Sequence, residues 1–189
     1  MEHLSRLFGS PARLKTLRLF VFNRDVSITL SEIAARTKLS NDAVRRELTD
    51  LIASGLVRKK GKNSPVCYQT NQRFEHLEAL DTFIRSTTNV RPHIMIAALR
   101  RVGSIRLVAL SGFFTGVLES QVDLLIVGDR LEERILANAV RSLEAELGRE
   151  IRYASFTTEN FRYRFGVYDR LLRDIFDYPH RLLIDKIGL

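Results

Sequence analysis

Residues 28–70, ITLSEIAARTKLSNDAVRRELTDLIASGLVRKKGKNSPVCYQT, constrain the fold more than any other part of the chain. Thr29 and Glu32 have the spacing of a capping box, in which each side chain satisfies an otherwise orphaned backbone N–H of the other residue. A helix starting there presents Leu30, Ile33 and Ala34 to a core. Leu39, just past the following turn, is placed to pin it to a second helix. That second helix has Ser40 as its N-cap and Gly55 as its stop signal. Val44, Leu48, Leu51 and Ile52 make its buried stripe, which turns Asn41, Asp42, Arg45, Arg46 and Thr49 to the other side. Two strands follow, at 56–60 and 65–70, around a Gly61-Lys62-Asn63-Ser64 tip, with Arg58, Lys59, Lys60 and Lys62 crowded at the hairpin end. Upstream, Ser10 before Pro11 predicts another helix, with Leu14, Leu17, Phe20 and Val21 recurring at helical spacing.

The charge is distributed with the same asymmetry. Residues 1–73 hold 14 Lys and Arg against 6 Asp and Glu, a net +8 that equals the net charge of the whole chain; residues 74–189 hold 16 of each. A basic footprint confined to one region is what a polyanion partner requires. Cys67 is the only cysteine, which rules out an intrachain disulfide and a multi-thiolate metal site and fits a reducing compartment. His3, His76, His93 and His180 lie far apart, without metal-ligand spacing, and neither a phosphate-binding glycine loop nor a nucleophile elbow is present. No stretch approaches the ~20 apolar residues of a membrane span. The expectation is a soluble, cytoplasmic protein with no membrane partner.

Residues 28–70 resemble the winged-helix transcription regulators of bacteria and archaea: TLSEIAARTKLS matches their second helix and turn, and NDAVRRELTDLIASGLV their recognition helix running into the wing. The resemblance implies a winged helix-turn-helix domain at 1–73 that docks on double-stranded DNA. On that reading Ser40, Asn41, Asp42, Arg45, Arg46 and Thr49 face the major groove, where arginine can read guanine bidentately. Arg58, Lys59, Lys60 and Lys62 would neutralise phosphates. Lysine on an edge strand also guards against aggregation, and Arg45 and Arg46 have Asp42 and Glu47 within reach at helical spacing, so both sets of charges have a local reading as well.

Residues 74–90 predict a connecting helix with one apolar stripe, Phe74, Leu77, Leu80, Phe83 and Ile84. Two readings stand: a dimerisation helix that makes a homodimer for a two-fold operator, or a helix packed on its own domain.

From residue 91 helices and buried strands alternate: helices at 94–102, 131–147 and 161–176, strands at 105–110, 122–127, 150–156 and 181–185. This pattern implies a mixed sheet covered by helices. Its centre, LVALSGFFTGVLESQVDLLIVGD, is similar to the nucleotidyltransferase superfamily that includes the minimal nucleotidyltransferases and DNA polymerase beta. There a strand ends in a Gly-Ser pair, a glycine-containing loop follows, and a Ser-Asp-x-Asp-Leu segment carries two carboxylates that hold magnesium ions on a nucleoside triphosphate. Here the matching positions are Ser111, Gly112, Gly116, Gln121 and Asp123. The first aspartate is replaced by Gln121, and no aspartate occurs between Asp129 and Asp169 to act as a third carboxylate.

The expected class is therefore α+β: an N-terminal winged helix-turn-helix domain (1–73), a connecting helix (74–90) and a C-terminal nucleotidyltransferase-like domain (91–189). The expected function is sequence-specific duplex binding in transcription regulation, with the second domain non-catalytic and serving ligand sensing or oligomerisation. No catalytic residue, metal site or cofactor is expected on that reading, and a small molecule or nucleotide is the expected ligand. The alternative is an active metal-dependent nucleotidyltransferase, with magnesium and nucleotide bound, that uses the basic domain to reach its target.

Overall fold

The computed structural model describes residues 2–61, 65–88, 92–117 and 120–189. The chain is of mixed α+β class with two sheets, and it divides into two compact units, residues 1–89 with 141–149 and residues 90–140 with 150–189.

In the first unit α1 (Glu2–Leu7), α2 (Pro11–Phe22), β1 (Ile28–Thr29), α3 (Leu30–Thr37), α4 (Asn41–Ala53), β2 (Val57–Lys60), β3 (Cys67–Thr70) and α5 (Leu77–Thr87) follow one another. The helix starts lie where short-range chemistry puts them. Ser10 Oγ accepts from Arg13 N, Thr29 and Glu32 cap each other reciprocally, and Ser40 Oγ accepts from Ala43 N. The three strands form an antiparallel sheet in the order β1-β3-β2, with Lys60 opposite Cys67 and Val57 opposite Thr70. Phe20, Val21, Ile28, Ile33, Val44, Leu48 and Leu56 fill the core, each at most 2% exposed. Burying a side chain of this size contributes about 1.5–3 kcal/mol. Leu77 and Ile84 of α5 belong to the same core, with Phe74 and Leu80 packed against it. Of the two readings of the connecting stripe, packing on its own domain is thus the one realised, and Phe83 alone of the five stays exposed.

Residues 141–149 complete this unit. Arg18, 1% exposed, donates from Nη1 to Glu146 O at 2.8 Å, and Asn23 Nδ2 donates to Gly148 O at 2.8 Å. Gly148 has φ +77°, and a Cβ there would lie 2.6 Å from the Arg18 carbonyl carbon, so the close approach needs glycine. Burial holds the Arg18 guanidinium below its ordinary pKa, opposed by the charge of Glu146.

The second unit carries α6 (Pro92–Leu99), β4 (Ser104–Leu110), β5 (Leu124–Asp129), the start of α7 (Glu133–Leu147), β6 (Tyr153–Phe156), α8 (Thr158–Gly166), α9 (Arg170–Phe176) and β7 (Arg181–Asp185). Its sheet runs β6-β5-β4-β7, with β5 and β6 parallel and the other pairs antiparallel. Leu107, Val108, Ala109, Leu110, Leu124, Leu125, Ile126 and Val127 are at most 1% exposed, so both faces of the two central strands are covered. Phe161, Leu172 and Ile175 from α8 and α9 pack on Leu107, Ala109, Leu125 and Val127.

Several expected boundaries move: the helix expected at 94–102 is Pro92–Leu99, the one expected at 131–147 starts at Glu133, and the hairpin strands expected at 56–60 and 65–70 are Val57–Lys60 and Cys67–Thr70. The strand expected at 122–127 starts at Leu124, and the one expected at 150–156 starts at Tyr153, because the Arg152 carbonyl takes two donors at once, Asp123 N and Leu124 N, which interrupts regular pairing there. The helix expected at 161–176 is two helices, broken at Tyr168, whose φ is +56°.

Candidate nucleic-acid interface

On α4 the buried stripe is Val44, Leu48 and Leu51, together with Glu47, which apolar periodicity alone does not anticipate. The Glu47 carboxylate accepts from Ser10 Oγ at 2.9 Å and from Arg13 Nε at 2.8 Å, and Arg13 Nη2 also reaches Asp50. This pairing raises the Arg13 pKa, chiefly through the Glu47 hydrogen bond. One arginine of α2 therefore engages two of the three acidic side chains of α4. The third, Asp42, pairs with Arg45 at 2.7 Å with both side chains well exposed. An exposed pair of this kind is worth about 0–1 kcal/mol, little enough for a phosphate to displace it.

Asn41, Asp42, Arg45, Arg46 and Thr49 are all exposed, as is Ser40 at the cap. Arg46 has no ion pair among the described residues. Two of these side chains already have local tasks: Ser40 Oγ caps the helix, and the Thr49 hydroxyl donates to Arg45 O at 2.9 Å. Ser10 and Arg13, which hold the helix from behind, are separated from their partners by 34 to 37 residues, and nothing in the spacing of α4 signals them.

The chain leaves α4 through Gly55, at φ +80°, directly into β2. Asn71 Nδ2 donates to Gly55 O and Asn71 N to Leu56 O, both at 2.8 Å, which closes the base of the hairpin against the end of the helix. Thr70 Oγ1 donates to Phe20 O at 2.8 Å and ties β3 to α2. Arg58, Lys59 and Lys60 are exposed on β2, which is an edge strand of its sheet. The expected tip residue Lys62 lies outside the described residues.

In the second unit, of Ser111, Gly112, Gly116, Gln121 and Asp123, Ser111 and Gly112 lie against Asp123, Gly116 closes the turn on Gly112 O, and Gln121 bonds to Asp174 instead. Asp123, 1% exposed, receives four hydrogen bonds: Phe113 N and Arg152 Nη2 to Oδ1, each at 2.8 Å, and Arg152 N and Nε to Oδ2, each at 3.0 Å. Burial pushes this carboxyl up, but the Arg152 guanidinium and the two amides outweigh it and hold the pKa below the ordinary aspartate value. Gly112, at φ +53°, lies against the same carboxylate, and a Cβ there would collide with Asp123 Oδ1. The Ser111 hydroxyl donates to Val122 O, and Gln121 N donates to Asp174 Oδ2 at 2.8 Å. A carboxylate has about four lone-pair sites, and here every one is filled by an N–H of the same chain.

No protein-family model matches the chain, and neither a curated protein nor a solved structure gives a match.

The magnesium implied by the nucleotidyltransferase resemblance does not fit these residues. A cation at Asp123 would have to displace a bidentate guanidinium, and Gln121 brings no charge in place of a second carboxylate. Among the described residues no three His, Cys, Asp or Glu side chains form a metal-ligating group. Nor is any described helix long and apolar enough to cross a membrane.

Proposed function

We propose that the protein is a duplex-DNA-binding transcription regulator whose first unit is a winged helix-turn-helix. α4 enters the major groove and the β2–β3 hairpin lies along the phosphate backbone. One observation carries the reading: Arg13 and Ser10 turn Glu47 and Asp50 of α4 toward α2, leaving Arg46 without an ion pair among the described residues on a helix that runs straight into the exposed Arg58-Lys59-Lys60 edge. A polar face cleared of unpaired carboxylate and joined to a basic strand is the arrangement that phosphate contact and base readout require. Arg45 is released from Asp42 on binding, and Arg46 contacts a base edge or phosphate.

The second unit is proposed to be nucleotidyltransferase-like in fold but without catalysis, since its one remaining motif aspartate serves as the buried partner of Arg152. Its role is then ligand sensing or oligomerisation. The nucleotidyltransferase alternative has no observation in its favour.

Selection of bound sequences from random duplexes tests the proposal. The expected result is an enriched motif that relaxes at one or two positions in Arg45→Ala or Arg46→Ala, each good bidentate contact being worth about 1–3 kcal/mol. A two-fold motif would also establish a dimer on DNA. Recovery of no motif from the wild-type protein would remove sequence-specific recognition.

A further inference from the structure

We infer that the cleft at the turn between α8 and α9 is a stacking site for single-stranded nucleic acid, separate from the duplex surface proposed for the first unit. The cleft has a volume of about 500 Å3, and its walls carry Tyr168, Tyr178, Arg170, Arg173, Asp174 and Asp177. Tyr168 is 79% and Tyr178 57% exposed, and neither ring makes a ring–ring or cation–π contact among the described residues. Tyr168 also holds φ +56°, a left-handed conformation that glycine or asparagine adopts far more readily at a helix end. The backbone there is the stop of α8, closed by Asp169 N donating to Arg164 O at 3.0 Å, and it holds the Tyr168 ring out in solvent at the cleft. The turn beneath it is rigid: Asp169 caps α9 through Leu171 N and Leu172 N and pairs with Arg164 at 2.9 Å.

The charges select the ligand. Arg173 pairs with Asp177 at 3.0 Å, and Asp174 accepts from Ser120 Oγ and Gln121 N, which leaves Arg170 as the wall cation without an acidic partner among the described residues. With Asp177 offset by Arg173, Arg170 offers one cation for a single phosphodiester, while Asp174, held by neutral donors only, opposes the crowded charge of a triphosphate. Two open ring faces give bases a sequence-tolerant platform. A protein partner is disfavoured, because the wall carries no aliphatic side chain among the described residues and four charged ones, whereas the centre of a protein interface is depleted of charge.

The test uses the full chain and a labelled oligothymidylate or oligouridylate of about twelve nucleotides, within the usual span of such sites. With no tryptophan present, quenching of tyrosine fluorescence reports stacking directly. Tyr168→Gly removes the ring and relieves the left-handed backbone. It should weaken single-strand binding about tenfold or more while the thermal unfolding midpoint holds or rises and duplex binding stays unchanged. Tyr178→Ala should weaken it independently, and Arg170→Ala should flatten the salt dependence by about 0.7 in the log–log slope. The inference is overturned if both tyrosine variants bind the oligonucleotide like wild type. It is also overturned if Arg46→Ala with Lys59→Ala and Lys60→Ala abolishes single-strand binding, or if a nucleoside triphosphate or an acidic peptide competes at lower concentration than the oligonucleotide. Failure of duplex binding alone leaves it standing, since the two surfaces are read with different probes and variants.

Discussion

Asp123 is the residue whose meaning the fold alters most. Its motif position is readable in the sequence, but its partners are not. Phe113 lies ten residues before it and Arg152 twenty-nine after; the pairing of β4 with β5 brings in the first and the approach of β5 to the start of β6 the second. The consequence is a stability effect in place of a chemical one. Arg152→Met should lower unfolding free energy by about 3 kcal/mol, the usual cost of leaving a buried charge without its partner, as measured by denaturant titration. The pH dependence follows from the depressed pKa. Its contribution is present above the unfolded-state value of about 3.9 and is lost as pH falls through the lower folded value. The stability gap between wild type and Asp123→Asn should therefore be wide at neutral pH and shrink in acid. A gap that widened in acid would mean the carboxyl is protonated in the native state. Tyr168 is the opposite case, a residue that looks like ordinary helix interior in the sequence and is a left-handed break in the structure.

Among the elements, α3 and α4 were the most legible, because caps depend on contacts three residues apart and apolar stripes on a period of 3.6. What periodicity could not deliver was the orientation of Glu47, whose partners Ser10 and Arg13 belong to another helix. The expected pairing of Glu47 with its neighbouring arginines is not realised, because residues one or two apart on a helix do not face each other, and Glu47 turns to α2 instead. Glu47→Ala should cost about 1–3 kcal/mol, since it strips the buried hydrogen bonds from Ser10 and Arg13 and leaves Asp50 as the acidic partner of Arg13 on α4. Asp42→Asn acts on the outer face. It removes the one acidic side chain paired there with Arg45, and duplex affinity should rise severalfold with little change in the unfolding midpoint. Lower affinity in Asp42→Asn would indicate that Asp42 itself contacts a base. For α5 the stripe was legible and its partner was not, because an amphipathic helix looks the same in sequence whether it covers its own core or another chain's.

Over the whole molecule the basic excess remains with the proposed DNA-binding unit, though less sharply than the sequence division suggests. Residues 1–89 with 141–149 hold 17 Lys and Arg against 11 Asp and Glu, and the other unit holds 13 against 11. The difference arises because residues 74–89 add three acidic side chains and one basic; two of the three, Glu78 and Asp81, pair with Arg24. Net charge alone therefore understates the basic character of the proposed surface, which depends on where the unpaired cations lie. The α+β class and the sheet-and-helix alternation of the second unit were readable from hydrophobic pattern. The assignment of residues 141–149 to the first unit was not, since it depends on Arg18 and Asn23 meeting Glu146 and Gly148 across more than a hundred residues. The central claim is most directly tested by equilibrium binding of the full chain to a duplex across about 50–200 mM salt. The account predicts a linear fall of log K with log salt. The slope should flatten by about 0.9 for each phosphate left without its cation in Arg58→Ala, Lys59→Ala and Lys60→Ala. An absence of duplex binding at the lowest salt, or a slope unmoved by all three substitutions together, would contradict it.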